Sequence, residues 1–168
     1  IKIVYNAEAG AAARLPSIDR ATLRALIDAA HRHDRMAVVH VDNRLSARHA
    51  LEGGADGLAH VFADAPVEAP LIELARARGA FVIPTLPVLE GVAGVGSGAL
   101  RDDPRVARYL DPTQRETLRG SFGSNKGEAW LRRARENVAA LHRAGVPILA
   151  GSDAPNPGTA HGASLHHA

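Results

Sequence analysis

The chain has 168 residues, 46% hydrophobic but only 4% aromatic, with a net charge of +2 and no cysteine. That length suits a single domain, residues 1–168, with a real core. Absence of cysteine excludes disulfides and thiolate metal sites. The nearly balanced charge offers nucleic acid no basic surface, and no apolar run reaches the roughly 18 residues of a membrane span. The expected partner is a small-molecule substrate. Composition leaves oligomeric state and compartment open, with the cytoplasm favoured.

The chain opens on IKIVY, within a strand and without an initiator Met or a leader, so an N-terminal part is expected upstream. Residues 1–5 read as that strand, followed by a Gly/Ala-rich loop over 6–16. Ser17 is placed to cap a helix whose apolar positions Ile18, Leu23, Leu26, Ile27 and Ala30 follow a helical period. Residues 36–41 suit a buried parallel strand, and residues 46–52 a short helix ended by Gly53-Gly54. A strand over 57–62 follows, then a helix from Pro66 to Arg78 closed by Gly79, then a strand over 80–85. Residues 86–125 break this rhythm, with several glycines and short helical pieces near 104–110 and 112–119, as in a lid or substrate loop. A long helix over 126–143, with Leu131, Ala134, Val138 and Leu141 inward, precedes a last strand over 146–150. Alternating strands and helices of this kind form a (β/α) barrel or an open doubly wound sheet. The segment NAEAGAAA lacks the GxGxxG loop usual in the second.

His40, His60 and Asp153 stand at or just past the ends of apolar runs, in MAVVH, GLAH and VPILAGSD. In alternating strand–helix folds the C-terminal strand ends gather on one edge, where such folds keep their chemistry. His40 and His60 are separated by one βα unit, and two imidazoles on adjacent strands supply half a tetrahedral zinc shell. Each alone is as readily a hydrogen-bonded strand-end histidine. Asp153 in GSDAPN suits a metal ligand that also accepts a proton, or an aspartate that closes a turn. Only Lys2 and Lys126 are lysines among 20 basic residues. A lysine in an apolar strand is costly to bury charged, whereas its carbamate is an anionic oxygen ligand. The other reading of Lys2 is a side chain that snorkels to the rim or pairs with Glu8. His31, His33, His49 and His142 fall on helices. Tyr5 and Asn6 follow the first strand, placed to line the same rim, and Tyr5 and His161 are the candidate substrate contacts. No GxSxG motif occurs, so acyl-enzyme chemistry has little support.

The pieces IKIVY, AVVHV, GLAHVF and AGSDAPNPGTAHGASLH, in this order, resemble the amidohydrolase superfamily of metal-dependent hydrolases, in its imidazolonepropionase-like and prolidase-like dipeptidase branch. The resemblance implies a partial (β/α)8 TIM barrel, from about strand 4 to just beyond strand 8, with a long insertion before the last strand. It implies Lys2 as a carboxylated lysine bridging two metals and His40 and His60 as ligands of the second metal. Asp153 becomes a metal contact and proton shuttle. One or two divalent ions are implied, zinc foremost, with manganese and cobalt also suited to such donors. The implied reaction is hydrolysis of an amide-type C–N bond, in a dipeptide, N-acyl amino acid or cyclic amide.

The family's HxH pair on the first strand has no counterpart here, and His31-x-His33 closes a helix instead. On this reading the 168-residue chain alone is inactive while its parent enzyme is active. Amide hydrolysis by the purified chain at a full-length homologue's rate would overturn that. Two readings from other classes stand beside it. One is a metal-free (β/α) barrel lyase or aldolase using Lys2 as a Schiff-base amine, which borohydride would trap. The other is a non-catalytic binding module.

Overall fold

Four short apolar segments frame the fold: β1 (Lys2–Val4), β2 (Val38–His40), β3 (Gly57–Ala59) and β4 (Phe81–Ile83). They form one parallel sheet in the order β1-β2-β3-β4. The computed structural model describes residues 1–7, 16–95, 98–124 and 126–167. Glu8, the acid offered as a pairing alternative for Lys2, and most of the Gly/Ala-rich loop lie outside them. The chain divides into two compact units, Ile1–Pro84 with Glu136–Leu149, and Thr85–Arg135 with Ala150–Ala168.

In the first unit the strands alternate with α1 (Arg20–Arg32), α2 (Arg44–Glu52) and α3 (Ala69–Arg78). Ile3 and Val39 are buried, while their neighbours Lys2, Val4, Val38 and His40 stand on a more open face. Helix α1 buries Leu23, Ile27 and Ala30, the i, i+4, i+7 stripe that a core-facing helix needs. Leu26 is exposed instead of inward. The cap of α1 is Asp19, which accepts from the Thr22 amide at 2.7 Å, and not Ser17. Ser17 Oγ accepts from the Asn6 amide and so holds the exit of β1. Helix α2 starts at Arg44, earlier than expected, because Asn43 accepts from the Ser46 amide. Helix α3 starts at Ala69 and carries Pro70, not Pro66, in its first turn. Gly79 closes it at φ 62°, a left-handed geometry that glycine adopts without steric cost.

The expected fifth strand is reduced to a single parallel bridge between Val82 and Ile148. The Val82 amide donates to Pro147 O and the Leu149 amide to Val82 O, both at 2.9 Å. Pro147 has no N–H to extend the ladder.

The long helix α8 (Gly127–Arg143) contributes its C-terminal part to this unit. Its inward stripe is Leu131, Ala134, Asn137 and Leu141, with Asn137 in the slot expected for Val138, which is half-buried. Asn137 is only 2% exposed. Its Nδ2 donates to Phe62 O and Ala65 O, each at 2.9 Å, and its Oδ1 accepts from the Val67 amide at 2.8 Å. One side chain thus satisfies three backbone groups of the loop that follows β3.

In the second unit, 86–125 is more helical than expected. It holds α4 (Leu86–Ala93), α5 (Gly98–Asp102), α6 (Pro104–Ala107) and α7 (Pro112–Thr117). Asp103 and Asp111 cap the last two, Asp111 in a reciprocal box with Gln114. A 3₁₀ helix (Ala163–His167) ends the described chain. Gly91 of α4 packs against the Pro157 carbonyl so closely that a Cβ there would lie 2.5 Å from its oxygen.

Replacing Asn137 with Ala should leave buried donors and acceptors unpaired and lower stability by about 2 kcal/mol or more. Urea unfolding of the wild type and the variant measures the difference.

Candidate functional site

The parallel register decides which side chains of the first unit can meet. Val4 pairs with His40, and His40 with Ala59, so the ends of β1, β2 and β3 lie in step. Lateral partners share a face and alternate residues return to it. Lys2, paired with Val38, therefore stands on the His40 face one pleat earlier.

His60 follows Ala59, and strict alternation would send it to the other face. Its φ of 74° breaks that alternation. The His60 amide still bonds Ile83 O at 2.9 Å, so the turn occurs without loss of the ladder to β4. The rings of His40 and His60 meet edge to face, with centroids 4.5 Å apart and planes at 78°. His60 is 7% exposed and His40 half-buried. The two expected imidazole ligands are thus brought together.

Among the described residues no group of three or more His, Asp or Glu side chains gathers as a metal cluster. The chemistry of the pair suits two nitrogen ligands of one divalent ion. It is half of a four-coordinate shell.

Tyr5 is buried, 4% exposed, and its hydroxyl lies 2.8 Å from His49 Nδ1 on α2. Its ring therefore packs the exit of β1 against α2. His31 is a structural residue: its Nε2 lies 2.8 Å from Asp56 Oδ2, which also accepts from the Ala37 amide. Burial works to raise the Asp56 carboxyl, but these hydrogen bonds hold it below the usual carboxylate range.

Asp153 and His161 belong to the second unit. Asp153 has φ 55°, and Asn156 Nδ2 donates to its carbonyl at 2.7 Å and to its Oδ2 at 2.9 Å. The turn geometry expected as one reading of GSDAPN is therefore present. The exposed His161 accepts from Gln114 Nε2 through its backbone oxygen.

Among the described residues, four non-glycine residues have positive φ: Asp34, His60, Thr85 and Asp153. The last three each follow an apolar run. Buried Thr85 is the one that the sequence reading missed, since nothing in its residue type signals a left-handed backbone. Strain of this kind, at a β-branched residue above all, concentrates at functional sites.

Burial, reinforced by the charge of Arg20, holds the His49 imidazole below its usual value. The unfolded chain then binds a proton that the folded chain does not, so stability rises with pH across that window. Acidification from about pH 6.5 should destabilise the protein, and His49→Gln should flatten this dependence. Denaturant midpoints between pH 5 and pH 7.5 read the effect directly.

No family model matches the chain, and no curated protein matches it by sequence. Its structure is similar to a Xaa-Pro dipeptidase with bound methionine in its active site, at TM-score 0.59 and 19% identity, over 94% of this chain and 35% of that one. It is similar to the same degree to A. niger ochratoxinase, at TM-score 0.59 and 19% identity, over 94% of this chain and 31% of that one. An amidohydrolase gives TM-score 0.55 at 19% identity, over 91% of this chain and 33% of that one. The chain thus spans about a third of the length of the structures it matches. At this identity the likeness is one of fold: an α/β architecture with a parallel sheet, corresponding to part of these hydrolases.

Proposed function

We propose that this chain carries part of the active centre of a metal-dependent hydrolase acting on amide-type C–N bonds, as the portion of a (β/α)8 barrel from about strand 4 to strand 8. The observation that carries the reading is the His40–His60 pair: two imidazoles, 4.5 Å apart between centroids, at the ends of adjacent strands. The fold shared with hydrolases supports it.

In this reading His40 and His60 hold a divalent ion, zinc foremost, and Lys2, as its carbamate, adds an oxygen ligand from the same face. Both roles suit the residue chemistry: neutral imidazole is a common zinc donor, and a carbamate is anionic where a free ammonium is not. When bound, such an ion supplies Lewis acidity. Asp153 takes the proton from the attacking water and passes it to the leaving amine. Its place just past the last apolar run supports that role. His161 contacts the substrate, and the buried Tyr5 shapes the rim through its bond to His49.

Metal analysis of the parent protein should find one or two divalent ions per chain. His60→Asn retains a residue type that tolerates positive φ while removing the imidazole, and should weaken metal affinity by at least about tenfold. An unchanged metal content, with circular dichroism showing an intact fold, would refute the proposal.

A further inference from the structure

At φ 74°, His60 has a backbone conformation that is uncommon for any residue with a side chain. Such backbone persists where the surrounding structure over-determines it, and two hydrogen bonds do so here. On the near side, the His60 amide donates to Ile83 O of β4 at 2.9 Å. On the far side, Phe62 O accepts from Asn137 Nδ2 at 2.9 Å. Only Val61 separates the two anchored residues, so the chain has little freedom to unwind the bend between them.

The far anchor is a side chain for a physical reason. Val61, Phe62 and Ala63 are buried, so the Phe62 carbonyl needs a partner from within the protein. Asn137 supplies it from α8 and spends its whole amide on this loop. Its two N–H groups go to Phe62 O and Ala65 O, and its Oδ1 accepts from the Val67 amide at 2.8 Å. A primary amide offers donors and an acceptor from one rigid head, whereas ionised aspartate lacks the donors and leucine lacks both. A second tie runs from Asp64 Oδ1 to the Arg44 amide at 2.9 Å. That tie holds the loop by a side chain and leaves the carbonyl nearest the bend to Asn137.

We propose that Asn137 is a positioning residue for His60. By holding Phe62 O it locks the left-handed bend, and so keeps the His60 imidazole edge to face with that of His40, with ring centroids 4.5 Å apart. The consequence for metal affinity rests on the hydrolase reading; the consequence for the bend does not. An asparagine that only stabilised the fold would, when replaced, lower stability and leave the two rings where they are.

The test compares crystal structures and zinc affinities of the parent protein and three variants. Asn137→Ala removes all three bonds. Asn137→Asp is isosteric, keeps the acceptor for Val67 and removes both donors, so it carries the comparison should the alanine variant not fold. Leu141→Ala is the control: it empties a buried position one turn further along α8 and removes none of these hydrogen bonds. In chelator-treated crystals the Asn137 variants should shift the His60 ring from its place against His40 by about 1 Å or more. Their zinc affinity, measured by calorimetry, should fall about tenfold or more. Leu141→Ala should match the wild type in both measurements. Rings that stay in place in the Asn137 variants, or that move as far in Leu141→Ala, would overturn the proposal. A wild-type parent protein that binds no zinc would end the hydrolase reading, and the ring positions alone would then decide the role of Asn137.

Discussion

The parallel ladder keeps β1, β2 and β3 in step, and the arrangement of the first unit follows from that. With Val4, His40 and Ala59 level, the residue after each strand emerges at nearly the same height. Small residues make the close approach possible. Gly57 lies beside Phe81, where a Cβ would come within 2.4 Å of the ring. Ala59 adds little bulk next to His40. A ladder slipped by one residue would turn His40 toward the helix-covered face and separate it from His60.

Much of this frame was legible because its signals are local and periodic. Short apolar runs marked the first four strands, the i, i+4, i+7 spacing marked α1, and Gly79 marked the end of α3. The pairing of His40 and His60 was legible from their separation by one βα unit. The misses share a cause, which is competition between several groups for one role. Asp19 and Ser17 could each have capped α1, and only the folded chain shows that Ser17 is engaged by Asn6. Val138 and Asn137 could each have faced inward. A hydrophobicity argument favours valine, yet three unpaired backbone groups in the loop after β3 select the amide. The last strand was read from an apolar run that tertiary structure reduces to one bridge.

The second unit was the least legible. Its glycines read as loop, but beside the two short helices expected near 104–110 and 112–119 the stretch also forms α4 and α5. Its polar cluster could not have been read from spacing, since Glu90, Arg135 and His167 lie far apart in the chain. A buried carboxylate held by a guanidinium and an imidazole is costly to break by removing either partner, so Glu90, Arg135 and His167 form a single constraint on this unit.

The left-handed bend at His60 carries an evolutionary consequence. Asparagine and aspartate tolerate that geometry and glycine adopts it freely, while valine or isoleucine would push the chain back toward an extended path. Drift at this position is thus filtered by the shape of the chain. Among residues with a side chain, those that tolerate the bend best, asparagine and aspartate, also carry a nitrogen or oxygen atom, whereas glycine, which adopts it most freely, carries none.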